Sequence, residues 1–381
     1  MNQGGLKVLM ISGDRNITVP HSTVAARMVE YGALVEELHI VVMCDASHGL
    51  KEGQIGSNVW FYPTNSAAHF LRPFDAASRG KRIVFEKKFV RGQSLITADS
   101  IEGGWAGRKI KRKWRLPLEV QLHTNPFSPY YTGFQNRVRK FLAGGVFRAA
   151  DTVRVVSEEL KRELGALTST QINVLPMCVD QEAIEAAPIR FDVRATYGWR
   201  FALLSVARLA PEKNISLALE ALSIVRKQFP DTGLVLVGSG PEERRLTALA
   251  KKLHLGGAVQ FAGWQTELGS FYKTANVFLQ TSFFEGYGLA LVEAGLSGLP
   301  VVTTAVGLAA ELEDGKDAYI INDPHRADIL AERIIDLLEH NQKRENLRLN
   351  LKHTLESKLL KKAEYLERMR AMWEQTARTI L

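Results

Sequence analysis

Residues 277–294 read VFLQTSFFEGYGLALVEA. The apolar strand Val277–Gln280 is followed by a turn that contains Gly286 and Gly288, and a helix begins at Leu289. Glycines at a strand-to-helix turn expose backbone N–H groups at the helix N-terminus, where the helix dipole favours an anion. The stretch therefore predicts an α/β domain that binds a diphosphate at this turn.

Two glutamates, Glu285 and Glu293, frame the turn. A carboxylate beside a phosphate is repelled unless it faces neutral hydroxyl groups, so both side chains are predicted to bind sugars. The rise per residue puts Glu293 about 7 Å into the helix, a distance suited to a ribose diol attached to the phosphate. The predicted ligand is thus a nucleotide that carries a second sugar.

Arg208 and Lys213 supply cations for the diphosphate just beyond the predicted strand Phe201–Val206. Arginine offers a planar fork and lysine a mobile point charge, so together they can hold two phosphoryl groups. The loop end of a parallel strand is where open α/β sheets bind ligands. Gly238 and Gly240 end the next strand and allow close backbone approach to a ligand, although a plain tight turn also uses such glycines.

The rest of the chain alternates short apolar runs with longer amphipathic stretches, which is typical of parallel sheets covered by helices. A chain of 381 residues exceeds the length at which one hydrophobic core keeps growing, so two domains are expected. The alternation fades between residues 176 and 199, where we expect the connection. The helices predicted in the first half lie at 22–35, 74–90, 131–149 and 158–164.

Composition narrows the class of protein. A hydrophobic content of 46% with 24% charged residues is that of a globular protein, and no apolar run is long enough to span a bilayer. The first residues lack the pattern of an export signal, and Cys44 with Cys178 are too few for a disulfide framework. The sequence therefore predicts a cytoplasmic location.

Basic residues gather in the first half of a chain whose formal net charge is +8. The clusters lie at 79–91 and 108–115, and apolar Phe70 and Phe74 lie near the first of them. An anionic membrane surface and nucleic acid both suit such clusters, and a solvated helix face explains them as well. No basic helix with interleaved aromatic residues is predicted, so nucleic acid is not an expected partner.

The segments around these loops, taken in order, resemble the retaining GT-B glycosyltransferases of family 4. That family has an arginine and a lysine in a segment like 207–213, a glycine turn like 238–241, and two glutamates separated by seven residues, as Glu285 and Glu293 are. Residues 298–302 and 313–315 continue the likeness. The resemblance covers residues 201–323 closely and the first half more loosely.

The resemblance implies an α/β fold of GT-B type, in which two Rossmann-like doubly wound domains face each other across a cleft. Residues 1–178 would bind the acceptor, 179–200 would connect the domains, and 201–362 would bind the nucleotide sugar. A C-terminal helix at 363–381 would pack back on the N-terminal domain. The implied function is retaining transfer of a hexose-type sugar from a nucleotide-diphosphate donor to a glycan or lipid-linked acceptor.

The same resemblance assigns roles to individual residues. Glu285 would face the transferred sugar, and His123, at the end of a predicted strand, would lie near the reactive centre. Gly13 would belong to a loop near donor and acceptor, although residues 12–16 lack the glycine pair that the family usually has there. The implied diphosphate ligands are Arg208, Lys213, Gly286, Tyr287, Gly288 and Leu289, and the implied nucleotide ligands are Gly238, Gly240 and Glu293.

No Asp-x-Asp motif is present, so neither a metal nor another cofactor is expected beyond the nucleotide sugar itself. Backbone dipoles with Arg208 and Lys213 would stabilise the leaving nucleotide instead. Peripheral attachment to the inner face of a membrane is expected from the charge clusters. A nucleotide-sugar epimerase, a polysaccharide-elongating synthase and a non-catalytic nucleotide-sugar sensor are the alternatives that the same architecture leaves open.

Overall fold

A computed structural model of the protein describes residues 5–128 and 134–379. The chain forms two compact units, the first comprising Met1–Pro176 with Lys361–Leu381 and the second Met177–Leu360. Each unit is built on one sheet whose strands are connected through helices. The prediction of an α/β protein with two doubly wound domains is confirmed.

The first unit has an eight-stranded sheet in the order β3-β4-β2-β1-β5-β6-β7-β8, with β3 antiparallel to β4 and every other pair parallel. Its strands are β1 (Lys7–Ser12), β2 (Glu37–Val42), β3 (Gly53–Gln54), β4 (Val59–Pro63), β5 (Ser94–Ala98), β6 (Leu118–Leu122), β7 (Thr152–Val155) and β8 (Gln171–Val174). Strands β5, β6 and β7 are buried along their whole length, as expected of parallel strands covered on both faces.

Six helices belong to the first unit within the described residues: α1 (Thr23–Gly32), α2 (Arg72–Glu86), α3 (Ile101–Trp114), α4 (Phe134–Phe147), α5 (Glu158–Gly165) and α14 (Lys362–Arg378). Helix α14 packs near β5. The first residues of the helix predicted at 131–149 lie outside the described part of the chain. No described helix has the length and apolar character needed to cross a bilayer.

The second unit has a six-stranded parallel sheet in the order β11-β10-β9-β12-β13-β14. Its strands are β9 (Phe201–Val206), β10 (Thr232–Val237), β11 (Val259–Gly263), β12 (Val277–Gln280), β13 (Val301–Thr304) and β14 (Tyr319–Ile321). Its helices are α6 (Gln181–Ala186), α7 (Val193–Tyr197), α8 (Ile215–Gln228), α9 (Glu243–Lys252), α10 (Gly269–Thr274), α11 (Leu289–Leu296), α12 (Ala327–Glu339) and α13 (Asn341–Lys358). Buried leucines of α8 and α12 form the core with β9 and β10.

Helix α3 was not among the predicted helices. Its first half, residues 101–107, contains the glycines Gly103, Gly104 and Gly107, which depress helix propensity. Its C-terminal part is basic, and Trp105 and Trp114 lie on the same helix. The expectation that the chain has no basic helix with interleaved aromatic residues is therefore wrong.

Residues 179–200, predicted to be the connection, form α6 and α7 and pack within the second unit. Lys273 of α10 donates a hydrogen bond of 2.6 Å to the carbonyl of Glu185. The backbone N–H of Val193 donates to the hydroxyl of Thr274 at 2.9 Å. The division between the units lies between Pro176 and Met177 and returns between Leu360 and Lys361.

Candidate active site

The centre of the second sheet is its topological switch point. Strand β9 lies between β10 and β12, so the chain leaves the carboxyl ends of β9 and β12 toward opposite sides. The two loops that follow are joined, because the N–H of Phe283 donates to the carbonyl of Glu212 at 2.9 Å. The hydroxyl of Thr281 likewise donates to the carbonyl of Lys213 at 3.1 Å. The predicted diphosphate loops therefore form one surface.

Lys213 and Glu285 meet at this switch point. The Nζ of Lys213 donates to both carboxylate oxygens of Glu285, at 2.7 and 2.8 Å. Ser282 donates a further bond of 2.7 Å to Oε1, and the lysine and glutamate side chains are only 18% and 13% exposed. An ammonium has three donors, so Lys213 can keep Glu285 in place and still offer one N–H to a phosphate.

Arg208 has a different ion-pair partner. Its guanidinium forms an ion pair with Glu212 four residues later, and the arginine side chain is 63% exposed. The pairing of Arg208 with Glu212 leaves most of its five donors directed to solvent, where an anionic ligand could meet them.

The turn after β12 ends in a left-handed glycine, Gly288, at the start of α11. The carbonyl of Tyr287 accepts a hydrogen bond of 2.8 Å from the N–H of Leu308, which fixes the turn against the segment after β13. A Cβ at Gly307 would lie 2.7 Å from that same carbonyl, so this contact requires glycine. Gly307 was not predicted as a site residue, because only the folded turn reveals its contact with Tyr287.

Glu293 lies on α11 and accepts a hydrogen bond of 2.8 Å from the hydroxyl of Tyr272 on α10. Burial raises the pKa of Glu293, and the tyrosine hydroxyl opposes part of that rise. The helix rise places Glu293 about 6 Å beyond Leu289, close to the predicted spacing. Tyr272 was also missed, since nothing in its local sequence indicates that it orients this carboxylate.

The Gly238 and Gly240 turn packs against the loop that carries Arg208. A Cβ at Gly238 would lie 2.0 Å from the carbonyl of Ala207, and one at Gly240 would lie 2.2 Å from the carbonyl of Leu209. The N–H of Leu209 donates to the carbonyl of Ser239 at 3.0 Å. These glycines therefore have a packing role of their own, and nucleotide binding by them stays a prediction.

The first unit holds the acceptor-side candidates at the carboxyl edge of its sheet. His123 follows β6 and keeps contact with solvent. Its pKa falls to about 4, because the surrounding protein limits hydration of the charged ring and because Arg154 and Arg27 add positive charge. The ring is neutral at pH 7 and can act as a hydrogen-bond partner without charge.

Gly13 follows β1 at the same edge, and its N–H donates to Asp99 at 3.4 Å. A Cβ at this position would meet nothing within 4 Å, so packing does not require glycine there. Asp99 follows β5 and was not among the predicted site residues. A lone aspartate between an apolar strand and a helix gives no signal in the sequence.

The described residues contain no group of three His, Cys, Asp or Glu side chains arranged to hold a metal ion. The expectation that no metal is needed stays a prediction, since a diphosphate itself supplies metal ligands.

Residues 191–354 match the family described as Glycosyl transferases group 1. The second unit is thus a group 1 glycosyltransferase domain. It contains the turn, the paired Lys213 and Glu285, and Glu293. At this level the resemblance found in the sequence, and with it the assignment to an enzyme family, is confirmed.

Curated relatives align with this chain over part of their length. The GtfA subunit of a UDP-N-acetylglucosamine–peptide N-acetylglucosaminyltransferase from Streptococcus parasanguinis is 36% identical over 102 residues, 27% of this chain and 20% of that protein. Alpha-monoglucosyldiacylglycerol synthase from Acholeplasma laidlawii is 26% identical over 272 residues, 64% of this chain and 68% of that protein. The chain thus spans about a fifth of the first relative and about two thirds of the second.

Among solved structures, a sucrose-phosphate synthase from Thermosynechococcus elongatus has a TM-score of 0.80 with 20% identity. The match covers 97% of this chain and 98% of that one, and therefore both units. At this identity the likeness concerns the fold, which is that of a GT-B glycosyltransferase.

Proposed function

We propose that the protein is a retaining glycosyltransferase whose second unit binds a nucleoside diphosphate sugar and whose first unit binds the acceptor. The observation that carries the proposal is the largely buried pair of Lys213 and Glu285 at the switch point of a group 1 glycosyltransferase domain. The lysine suits the diphosphate, and the glutamate suits the hydroxyl groups of the transferred sugar.

In the proposed reaction the bond between the anomeric carbon and the diphosphate oxygen breaks, and a bond to the acceptor hydroxyl oxygen forms. The hydroxyl proton passes to the departing phosphate oxygen, so attack comes from the face that the leaving group vacates and the configuration is retained. Negative charge grows on the diphosphate. Lys213, Arg208 and the first N–H groups of α11 stabilise that charge, which makes a metal unnecessary.

The relatives indicate which substrates to test first. The streptococcal relative is named for UDP-N-acetylglucosamine and a peptide, and the Acholeplasma relative for a glucosyl diacylglycerol. We therefore propose a uridine diphosphate hexose as donor and a glycan or lipid-linked hydroxyl as acceptor.

The experiment measures nucleoside diphosphate release from a panel of nucleotide sugars, with and without glycan and glycolipid acceptors and with a metal chelator added. Acceptor-dependent release that survives the chelator, with the new linkage retaining its anomeric configuration by NMR, supports the proposal. Sugar epimerisation that needs no acceptor would instead identify an epimerase. Nucleotide binding without turnover on any acceptor would identify a sensor.

Substitutions of Glu285 and Glu293 should affect different steps, one the transfer reaction and the other nucleotide binding. We expect Glu293→Gln to weaken binding of the bare nucleoside diphosphate by about tenfold, because it removes a charged acceptor for the ribose. Glu285→Gln should not weaken binding of the bare nucleotide, since Lys213 is then released for phosphate, but it should lower transfer. Calorimetry and turnover separate the two, with exposed Glu313→Gln as the control. Equal loss of nucleotide affinity in both variants contradicts the assignment.

We also propose that the protein attaches to the inner face of a membrane through α2 and α3. The support is a surface formed by aromatic residues of both helices, which we call the α2–α3 face. On it the ring centroids of Phe74 and Trp105 lie 4.6 Å apart, and those of Phe85 and Trp114 lie 6.0 Å apart. Phe74 and Phe85 are 56% and 69% exposed. Exposed aromatic rings flanked by basic side chains are typical of helices that lie at a bilayer interface.

The charges around that face are partly neutralised and partly available. Lys111 binds Asp151, and Arg82 binds Glu86. Arg112, Lys113 and Arg115 form no ion pair with the described residues, and Lys113 lies 5.4 Å from the Trp114 ring. An anionic leaflet would therefore meet the C-terminal end of α3 and the basic residue after it. The Acholeplasma relative, whose product is a diacylglycerol lipid by name, makes a lipid acceptor consistent with this site.

A further inference from the structure

The switch point of the first sheet lies between β1 and β5. Strand β1 pairs with β2 on one side and with β5 on the other, so the loops after β1 and β5 separate and leave a crevice at the carboxyl edge. Ile11 pairs with Ala98, so the next residues, Ser12 and Asp99, lie side by side at the mouth of this crevice. The position corresponds to that of Lys213 and Glu285 in the other sheet.

Asp99 is held there by neutral groups. The hydroxyl of Ser12 donates to Oδ2, and the N–H of Gly13 donates to Oδ1 at 3.4 Å. The backbone of Asp99 is fixed by its own N–H, which donates to the carbonyl of Ile11 at 3.2 Å. An ionised carboxylate has about four lone-pair positions, so two remain for a ligand that enters the crevice.

No described cation neutralises Asp99. Arg15, on the loop after β1, is bound to His48, and Asp14 on the same loop is itself acidic. On α3, Glu102 pairs with Arg139 at 2.8 Å, while Ser100 caps the helix by accepting from the N–H of Gly103 at 3.1 Å. Burial raises the pKa of Asp99, the hydrogen bonds from Ser12 and Gly13 lower it, and the negative charge of Asp14 raises it, so that the resulting pKa is about 6.

A half-buried carboxylate without a cation is costly to the fold and is more common at functional sites than in structural ion pairs. Two residues predicted to lie on the acceptor side follow the strands on either side of β5: Gly13 follows β1, and His123 follows β6. Because Asp14 and Asp99 are both acidic, a phosphate or carboxylate entering this crevice would be repelled. A neutral hydroxyl would be bound.

We propose that Asp99 and Ser12 form the acceptor subsite, in which Asp99 accepts a hydrogen bond from a hydroxyl of an uncharged sugar or glycerol group. This rests on the proposed transferase function and adds the substrate class: the part of the acceptor that enters the crevice is a neutral polyol. Asp99 orients that hydroxyl and keeps its charge, while the hydroxyl proton passes to the departing diphosphate as described above.

The test compares Asp99→Asn with the wild type. Asparagine keeps the size but loses the charge, and its single oxygen can accept from the N–H of Gly13 while its amide N–H donates to the hydroxyl of Ser12. We expect the acceptor KM to rise and kcat/KM for acceptor to fall by about tenfold to a hundredfold, the loss typical of a charged hydrogen bond. The Kd for the nucleoside diphosphate should change by less than about twofold. If Asp99 had only a structural role, the substitution would instead lower the unfolding temperature and weaken the binding of both substrates together.

The pH profile gives a second readout. Transfer by the wild type should decline as pH falls through about 6, because protonated Asp99 no longer accepts from the acceptor. The decline should vanish in Asp99→Asn, move to higher pH in Ser12→Ala, and move to lower pH in Asp14→Asn. Unchanged acceptor kinetics and an unchanged acid limb in Asp99→Asn overturn the subsite. Absence of transfer and of nucleotide binding in the wild type would refute the transferase itself.

Discussion

At the scale of single residues, Lys213 and Glu285 form the largely buried ion pair of the candidate donor site. The sequence places Lys213 and Glu285 in separate loops, one for the phosphate and one for the sugar. The fold makes them one ion pair, because β9 and β12 are neighbours although 72 positions separate the two residues. Each therefore sets the position of the other, and a change at Lys213 should affect both the phosphate and the sugar.

Replacing Lys213 with alanine should lower donor-dependent turnover by on the order of 10²-fold, since one charge partner of the leaving group is lost. It also leaves Glu285 without its cation. Lys316→Ala is the matched control, because Lys316 forms a comparable ion pair with Glu313 on the surface. Initial rates at saturating donor measure the effect. Equal rates for both variants would remove Lys213 from the diphosphate site.

Asp99 should also affect the free energy of unfolding, and the direction of this effect with pH follows from its pKa. Its folded pKa of about 6 lies above the ordinary value of 3.8, so its contribution is favourable below pH 3.8 and is lost as pH rises through 6. Above that, ionised Asp99 costs up to roughly 3 kcal/mol, reduced by screening because the residue is only half-buried.

Asp99→Asn should therefore melt at a higher temperature than the wild type at pH 7.5, and the difference should shrink toward pH 4.5. Thermal unfolding at the two pH values measures this, with the exposed Asp231→Asn as control. A difference that stays constant with pH would show that Asp99 does not titrate in the native state near 6.

At the scale of elements, the strands follow from the apolar runs, and predicted strands such as Phe201–Val206 and Val277–Gln280 coincide with β9 and β12. Helix α3 was missed because its inward face consists of small residues. A Cβ on Gly104 would lie 2.6 Å from Val146, and one on Gly107 would lie 2.6 Å from Leu118. Close tertiary packing requires glycine at these positions although glycine has a low helix propensity. The local sequence pattern does not reveal that requirement.

A buried polar network, which no sequence pattern predicts, holds helix α14 in the first unit. Trp373, fully buried, donates to Oε1 of Glu119 at 3.2 Å, and Thr97 donates to the same oxygen at 2.9 Å. Arg154 lies 3.6 Å from that oxygen, and this nearby charge balances the carboxylate. The partners come from β5, β6, β7 and α14, so the network joins the end of the chain to the centre of the sheet.

Trp373→Phe should loosen this part of the first unit, because it removes a donor to a buried charge at a cost of roughly 1.5–3 kcal/mol. Hydrogen exchange of amides in β5, β6 and β7 should quicken by about tenfold to a hundredfold. Trp264→Phe, at a site 75% exposed, serves as control. Unchanged protection of these three strands would show that the network does not stabilise them.

At the scale of the whole molecule, the charge is divided unequally. The first unit contains 29 Lys and Arg against 18 Asp and Glu, a net charge of +11, while the second contains 20 against 23, a net charge of −3. The sequence showed the basic clusters, but only the fold separates the exposed basic residues from those in ion pairs and brings the aromatic rings of α2 and α3 together. An anionic surface should therefore attract the first unit.

Vesicle sedimentation should detect this attraction. We expect binding to anionic vesicles at low salt, and loss of binding as salt rises. Changing Arg112, Lys113 and Arg115 to glutamine should weaken binding by on the order of 10²-fold, because each basic residue contributes about 1 kcal/mol at an anionic leaflet. The control changes three exposed lysines of the second unit, Lys227, Lys251 and Lys252, and alters the net charge equally.

Phe85→Ser tests the apolar part of the same face. It should reduce binding to vesicles without changing the charge, because an inserted ring adds buried apolar area. A short RNA at the same ionic strength is the competing ligand. The opposite outcome is that RNA binds with the salt dependence expected for the vesicles, while neutral and anionic vesicles sediment the protein equally poorly. That result would show that the α2–α3 face binds nucleic acid and does not bind membranes. If the lysine control weakens vesicle binding as much as the α3 variant, attraction depends on net charge alone and this face has no special role.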